Sequence, residues 1–392
     1  MNFSSGRRRQ LCLCFCAVLT AVLLWRWQRI FYLMCADYIR SDMPAHVALA
    51  LGRNDYGLSS WLIRFLWGLK GEHFGQTLLS LVLTANQLLG IVTLWLLLRR
   101  LLPALDGAAA LLAVLLAHLC GPWILPGQTQ MYLGVYNGNV YHNMTVLFSR
   151  SFIPLVLLFF FTLWDGRRER PDGKAWLGLA LSLLVTTAFK PSFFVAFAPV
   201  ALALLAWDFA ATKARGFRQE LVIGLAFLPA AGALLWSYLA LFGGEFAGTE
   251  SHMALRHLTL PWLAWTLIMY LRGLALPLYS FTLQGRREQG QREHFGIFAA
   301  VNAVAIAESI FLTETGFRAN DGNFDWGALS LYTAVFALAI GLLFRMGRET
   351  DRGERRARLR LAIGLVLLLG HLVIGVYCLS RPGHAGYDWF YF

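Results

Sequence analysis

Charge is scarce in this chain of 392 residues. Asp, Glu, Lys and Arg make up 14% of it, against roughly a quarter of an ordinary soluble domain. A large soluble domain is thereby excluded. Cysteine is sparse as well: Cys12, Cys14, Cys16, Cys35, Cys120 and Cys378 are the six. Three fall inside the first apolar run, and no pair has zinc-finger spacing. A chain this large and apolar needs no disulfide framework. Also missing are a nucleotide-type glycine loop, a zinc-ligand cluster and a serine nucleophile elbow. No segment between apolar runs on the basic side is long enough to house a nucleotide-sugar domain.

What fills the chain instead is hydrocarbon. Residues are 58% hydrophobic and the mean hydropathy is +0.56. Apolar runs of about the length that crosses a hydrocarbon core of roughly 30 Å recur from end to end. In lipid such runs must be helices, because the backbone has to satisfy its own hydrogen bonds. The expected spans are 11–31, 76–98, 104–122, 148–164, 175–189, 191–208, 220–241, 259–281, 295–312, 326–344 and 361–380. The expected fold is therefore all-α, one polytopic membrane domain over 1–392 with about eleven spans. Arg7, Arg8 and Arg9 precede the first run as in a signal peptide. The run continues to Phe31 with no small-x-small site after it, so it reads as an uncleaved anchor.

The net charge of +12 and pI near 9.7 would suggest nucleic acid in a soluble protein. Here the basic residues sit in short loops between spans, so membrane topology is the better cause and no nucleic-acid partner is expected. With the N-terminus cytoplasmic, the inner segments hold 22 Lys and Arg and the longer outer segments hold 7. The positive-inside bias then places the C-terminus outside. Short loops and no targeting sequence suit a bacterial inner membrane. The inner loops are repetitive and basic. The outer ones mix Asp, Glu, His, Asn, Tyr and Trp, so chemistry is expected to face outward.

Three outer segments carry that mixture. The longest, 32–75, reads Ala36-Asp37-Tyr38-Ile39-Arg40-Ser41-Asp42-Met43-Pro44-Ala45-His46 at its start. Pro44 suits the first turn of a short surface helix with Asp42 near its cap. Trp61, Leu62, Phe65, Leu66 and Leu69 recur at helical spacing and predict a second interfacial helix. Asp42 is then either a cap or a reactive carboxylate at the membrane surface. The second segment contains Tyr141, His142 and Asn143, which serve either as interface anchors or as a lining for a hydroxyl-rich ligand. Asn143-Met144-Thr145 also matches a glycosylation sequon. The third runs from Thr313 to Gly327 with Glu314, Arg318, Asp321 and Asp325. Asp321, Asn323 and Asp325 open like a calcium loop, but Trp326 and Tyr332 stand where its glycine and glutamate belong. Turn formation and function remain equal readings there.

Charge within a span costs roughly 2.5–3.5 kcal/mol on insertion scales. Lys190-Pro191 interrupts two short runs, with Lys190 beside a helix start, an arrangement suited to a phosphate or to snorkelling. Arg272 and Glu308 lie in the eighth and ninth spans and are expected either to pair or to serve a site. Arg26 and Arg29 are expected to snorkel, and His118 and His371 to pack.

A carboxylate soon after the first span, in a first outer loop with interfacial helices, resembles the GT-C superfamily of membrane glycosyltransferases. Ser41-Asp42-Met43-Pro44-Ala45-His46 carries the likeness, with Asp37 five residues before. The family often has two adjacent acids where this chain has Ser41-Asp42, so the choice between Asp37 and Asp42 stays open. The resemblance implies a sugar donor on a polyprenyl phosphate, a glycan, lipid or protein acceptor, and contact with membrane lipid. It implies Asp42 or Asp37 as general base and Lys190 or Arg318 at the phosphate. His46, Tyr141, His142, Asn143, Arg272, Glu314, Asp321 and Asp325 are then candidates for holding substrate. No cofactor is required, and a divalent metal on the outer carboxylates is an option some relatives use. The competing reading is a transporter or flippase for a lipid-linked or anionic substrate, since an interrupted helix pair marks such sites. A polysaccharide polymerase or ligase and a non-catalytic scaffold are further alternatives.

Overall fold

Each of the eleven apolar runs forms helix in the computed structural model, which describes residues 5–39, 41–52, 57–121, 143–169, 172–243, 253–282, 289–316, 324–349 and 355–380. Helix α1 (Ser5–Cys35) is followed by two short helices, α2 (Met43–Leu51) and α3 (Leu58–Lys70). Then come α4 (Glu72–Leu101), α5 (Gly107–Leu119), α6 (Met144–Asp165), α7 (Gly173–Phe189) and α8 (Ser192–Ala211). The remainder is α9 (Phe217–Leu225), α10 (Leu228–Gly243), β1 (Met253–Leu255), α11 (Leu260–Gly273), α12 (Ala275–Thr282), α13 (Gln289–Phe311), β2 (Leu312–Glu314), α14 (Trp326–Glu349) and α15 (Arg355–Ser380). Among the described residues, eight helical stretches are long and apolar enough to cross a membrane, with α5 and α7 as shorter apolar helices.

Two expected spans are broken, and proline explains both. A proline ring clashes with the carbonyl four residues earlier and donates no N–H. Four residues before Pro229 is Leu225, the last residue of α9; four before Pro277 is Gly273, the last of α11. The run 220–241 is thus α9 and α10, and 259–281 is α11 and α12. The sequence also did not foretell that the loops after α10 and α13 pair. Strands β1 and β2 run antiparallel, with Met253 opposite Glu314 and Leu255 opposite Leu312.

Helix α14 is the axis of the bundle. Its apolar window is 94% buried, against 17% for α1 and α15 at the periphery. Helix α15 reaches α5 only because Gly375 lacks a side chain: a Cβ there would lie 1.8 Å from the Leu119 carbonyl. At this crossing Gly121 N–H donates to the His371 carbonyl at 2.9 Å, and His371 Nδ1 lies 2.7 Å from the Gly121 carbonyl. Polar side chains inside the bundle satisfy backbone across helices. Asn86 Nδ2 donates to the Leu147 carbonyl at 2.8 Å and Thr93 Oγ1 to that of Ser151 at 2.9 Å.

The two ends differ in charge. Segments expected inside meet at one end. There Arg100 and His294 both meet Asp165, Arg167 and Arg168 meet Asp208 at 3.3 and 2.6 Å, and Arg9 meets Asp106 at 3.8 Å. Segments expected outside meet at the other, which carries α2, α3 and the β1–β2 pair. Arg26 belongs there too, donating from Nε and Nη2 to the carbonyls of Leu379 and Ser380 at 2.7 Å each. It closes the last turn of α15. Helix α3 turns Ile63, Leu66 and Trp67 into the protein, while Trp61, Phe65 and Leu69 stay exposed. Both faces are apolar, as a helix lying between protein and lipid requires.

The glycine crossing is testable in purified protein. Gly375→Ala overpacks the α5–α15 contact and costs roughly 1–3 kcal/mol, read as a lower Tm in detergent. Gly296→Ala in α13, where a Cβ meets nothing within 4 Å, holds or raises Tm through its better helix propensity.

Candidate functional site

The chain leaves α1 through a left-handed turn. Asp37 has φ 59°; its N–H donates to the Met34 carbonyl at 3.3 Å, and that of Tyr38 to Leu33 at 2.8 Å. These are the two bonds of a Schellman stop, and aspartate tolerates the left-handed region better than most residues. Asp37 is exposed. Its position is explained by ending the helix.

Asp42 differs. It occupies the N-cap of α2 with φ −73° and ψ −9°, and its side chain makes no capping bond. An N-cap side chain reaches the first-turn amides from extended backbone. Asp106 and Asp172, with ψ 144° and 112°, do so and cap α5 and α7. At helical dihedrals Asp42 cannot, and Pro44 removes one of the amides. Ser41 Oγ accepts the Met43 N–H instead, at 3.3 Å. The half-buried Asp42 carboxylate turns to Asn143, whose Nδ2 donates to Oδ2 at 3.1 Å.

Asn143 is held for that task. It caps α6, and its Oδ1 accepts from Val146 N–H at 3.2 Å and Thr145 Oγ1 at 2.7 Å. With the carbonyl committed to the helix, the amide NH2 must face Asp42. Asn143 and Thr145 are both buried at 6% exposure, so the sequon is closed to modification. His46, one helical turn beyond Asp42, shares its face of α2 and is half-buried.

The connection to Lys190 runs through aromatic packing. Phe148, five residues and about 7 Å along α6 from Asn143, stacks on Phe189 at 4.6 Å between ring centroids. The next residue is Lys190, half-buried at the end of α7, with Nζ 5.6 Å from the Trp326 ring centre. The α7–α8 turn thereby docks on the start of α14. Glu308 closes the same corner: a Cβ on Gly327 would lie 3.6 Å from Glu308 Oε2 and 3.4 Å from the Ser192 carbonyl.

Beside this corner stands a pairing that the residue pattern did not reveal. Asp325 is 3% exposed, with Arg256 Nη2 at 3.8 Å from Oδ1. Arg256 also donates to the Leu312 carbonyl at 3.2 Å and lies 5.0 Å from the Trp262 ring centre. Burial pushes the Asp325 carboxyl up to about 8, with Arg256 pulling it part of the way back. The available signal was Arg256 as the one basic residue of 242–258. What it lacked was the β1–β2 pairing that brings it to Asp325.

Other expectations fare differently. For Arg272 and Glu308, the turn of α11 speaks against a pair. Tyr270 faces α13 and hydrogen-bonds Ser309; Arg272 lies two residues on, about 200° around α11. Glu314 sits in β2 opposite Met253, half-buried. Tyr141, His142, Arg318 and Asp321 lie outside the described residues. Among the described residues no three metal-ligating side chains converge, so the metal option gains no ligand set. Arg150, read with the second outer segment, lies inside α6 instead. It is 8% exposed and donates from Nη2 to Gln87 Oε1 at 3.3 Å, with His118 lining the same small cavity.

No protein-family model matches the chain. No curated protein matches its sequence. Among solved structures, the chain is similar to the crystal structure of ArnT from Cupriavidus metallidurans bound to undecaprenyl phosphate. Sequence identity is 14% and the TM-score 0.45, over 99% of this chain and 75% of that one.

The raised Asp325 has a stability consequence. In the folded state its carboxyl keeps a proton to about pH 8, whereas an unfolded aspartate loses it near 4. The folded state binds more protons in that window, so stability falls as pH rises through it. Tm in detergent is expected to drop by a few degrees between about pH 5 and 8, and Asp325→Asn to flatten the drop. An unchanged slope in the variant assigns the effect elsewhere.

Proposed function

We propose that this chain is a GT-C-type membrane glycosyltransferase with Asp42 as its general base. The observation that carries the reading is the Asp42 carboxylate, turned away from its own helix and held by Asn143 just after the first span. A sugar leaves phosphate readily with little proton donation; the acceptor hydroxyl is the group that needs activation. Asp42 takes the hydroxyl proton as the oxygen attacks the anomeric carbon. The bond from that carbon to the phosphate oxygen breaks, and the lipid phosphate gains a negative charge. Lys190 offsets that charge. His46 and Asn143 orient the base and the acceptor. The donor is a polyprenyl-phosphate sugar and the acceptor a glycan, lipid or protein at the extracytoplasmic face, with the N-terminus in the cytoplasm.

Arg150 favours a second reading, a transporter or flippase for an anionic substrate, because an ionisable residue inside a span marks function. The two readings part in proteoliposomes supplied with a radiolabelled polyprenyl-phosphate sugar. For the transferase, Asp42→Asn lowers labelled product by about 100-fold or more at unchanged Tm, while Asn143→Ala lowers it less. Product formation that survives Asp42→Asn, or a label that crosses the bilayer untransferred and stops crossing in Arg150→Gln, would sink the proposal.

A further inference from the structure

The end of the bundle opposite Asp42 holds a cavity of about 370 Å³ between the α6–α7 turn and the α8–α9 turn. Arg167, Arg168, Lys213 and Arg215 line it, with Thr212 and Gln219. Among the described residues no carboxylate lines it. Buried acids stand behind the two arginines and aim them. Asp208 lies 3.3 Å from Arg167 Nε and 2.6 Å from Arg168 Nη2, and Glu220 lies 3.8 Å from Arg168 Nη1. Arg167 is further braced on Trp164, 4.1 Å from the ring centre. Lys213 and Arg215 are exposed and meet no acid among the described residues. Glu293 also meets Arg167, at 3.8 Å, so acids match the two arginines and the positive charge of the cavity is that of Lys213 and Arg215.

The backbone adds a second observation. Lys213 and Ala214 have φ 52° and 66°. Their N–H groups donate to Ala210 at 3.1 Å and Phe209 at 2.9 Å, the Schellman pattern that ends α8. Glycine is the strain-free residue at such a stop, and this chain puts a lysine there. Strain of this kind is kept where the side chain has a task.

Depth identifies the occupant. Trp207, one helical turn before the lining residue Ala211, and Phe217, next to Gly216, are 74% and 54% exposed, and exposed aromatics at the end of a bundle mark the headgroup level. Guanidinium forks match phosphate oxygens two bonds at a time, and basic pockets between membrane helices take anionic headgroups. We propose that this cavity binds the phosphate headgroup of an anionic phospholipid, independently of any chemistry at Asp42.

The test is thermal shift of the purified full chain in neutral detergent. Three probes are titrated: phosphatidylglycerol, phosphatidylcholine and inorganic phosphate. Phosphatidylglycerol is expected to raise Tm saturably, and the other two are not. The double variant Lys213→Gln, Arg215→Gln keeps its lipid-free Tm and needs about thirtyfold more phosphatidylglycerol, roughly fivefold for each charge removed. Arg218→Gln, exposed but outside the lining, leaves the titration unchanged. Lys213→Gly relieves the backbone strain, so it folds at least as well and still loses its fivefold share. An equal response to phosphatidylcholine, or an unshifted titration in the double variant, overturns the proposal. A response to inorganic phosphate matching that to phosphatidylglycerol overturns the lipid assignment in favour of a soluble anion.

Discussion

A backbone surrounded by hydrocarbon has no water to bond, so each N–H and C=O must find a partner in the chain. That constraint organises the bundle. It makes every apolar run helical and sends irregular backbone to the two ends. Inside, side-chain donors such as Asn86 and Thr93 reach carbonyls on a neighbouring helix. Even the breaks obey it: α9–α10 and α11–α12 part at the carbonyl a proline ring forbids. Many side chains able to do chemistry are therefore gathered at the ends, with Arg150, His118 and His371 among the buried exceptions.

The two ends are built differently. At one, arginines and carboxylates from α1, α4, α6, α8 and α13 interlock, so most acids there are covered by cations. At the other, Asp42 is met by a neutral amide and Asp325 is set deep with Arg256 beyond hydrogen-bonding distance. Asp42 and its amide partner belong to this second kind of end. The first kind stitches helices together and leaves unmatched cations over for an anion.

Capping geometry separates two aspartates that look alike on paper. Asp37 and Asp42 are five residues apart, and both follow the first span. Asp37 lies in the left-handed stop of α1. Asp42 sits at a helix start whose dihedrals keep its side chain off the helix. The same reasoning explains Asn143, whose amide direction follows from the cap its carbonyl makes.

Much of this was legible in residue order. Helix placement followed from apolar length, because hydrocarbon and self-satisfied backbone make each run helical; the breaks before Pro229 and Pro277 were not foreseen. The grouping of loops at two ends followed from the alternation of spans, and the short helices α2 and α3 from their spacing. Partnership across the chain was not legible. Residues 42 and 143, 256 and 325, and 87 and 150 are joined by how helices cross and by a strand pair three residues long. Those contacts depend on direction and depth rather than on composition. Local sequence sets what each segment is; only the packed bundle decides which segment's carboxylate faces which segment's amide or cation.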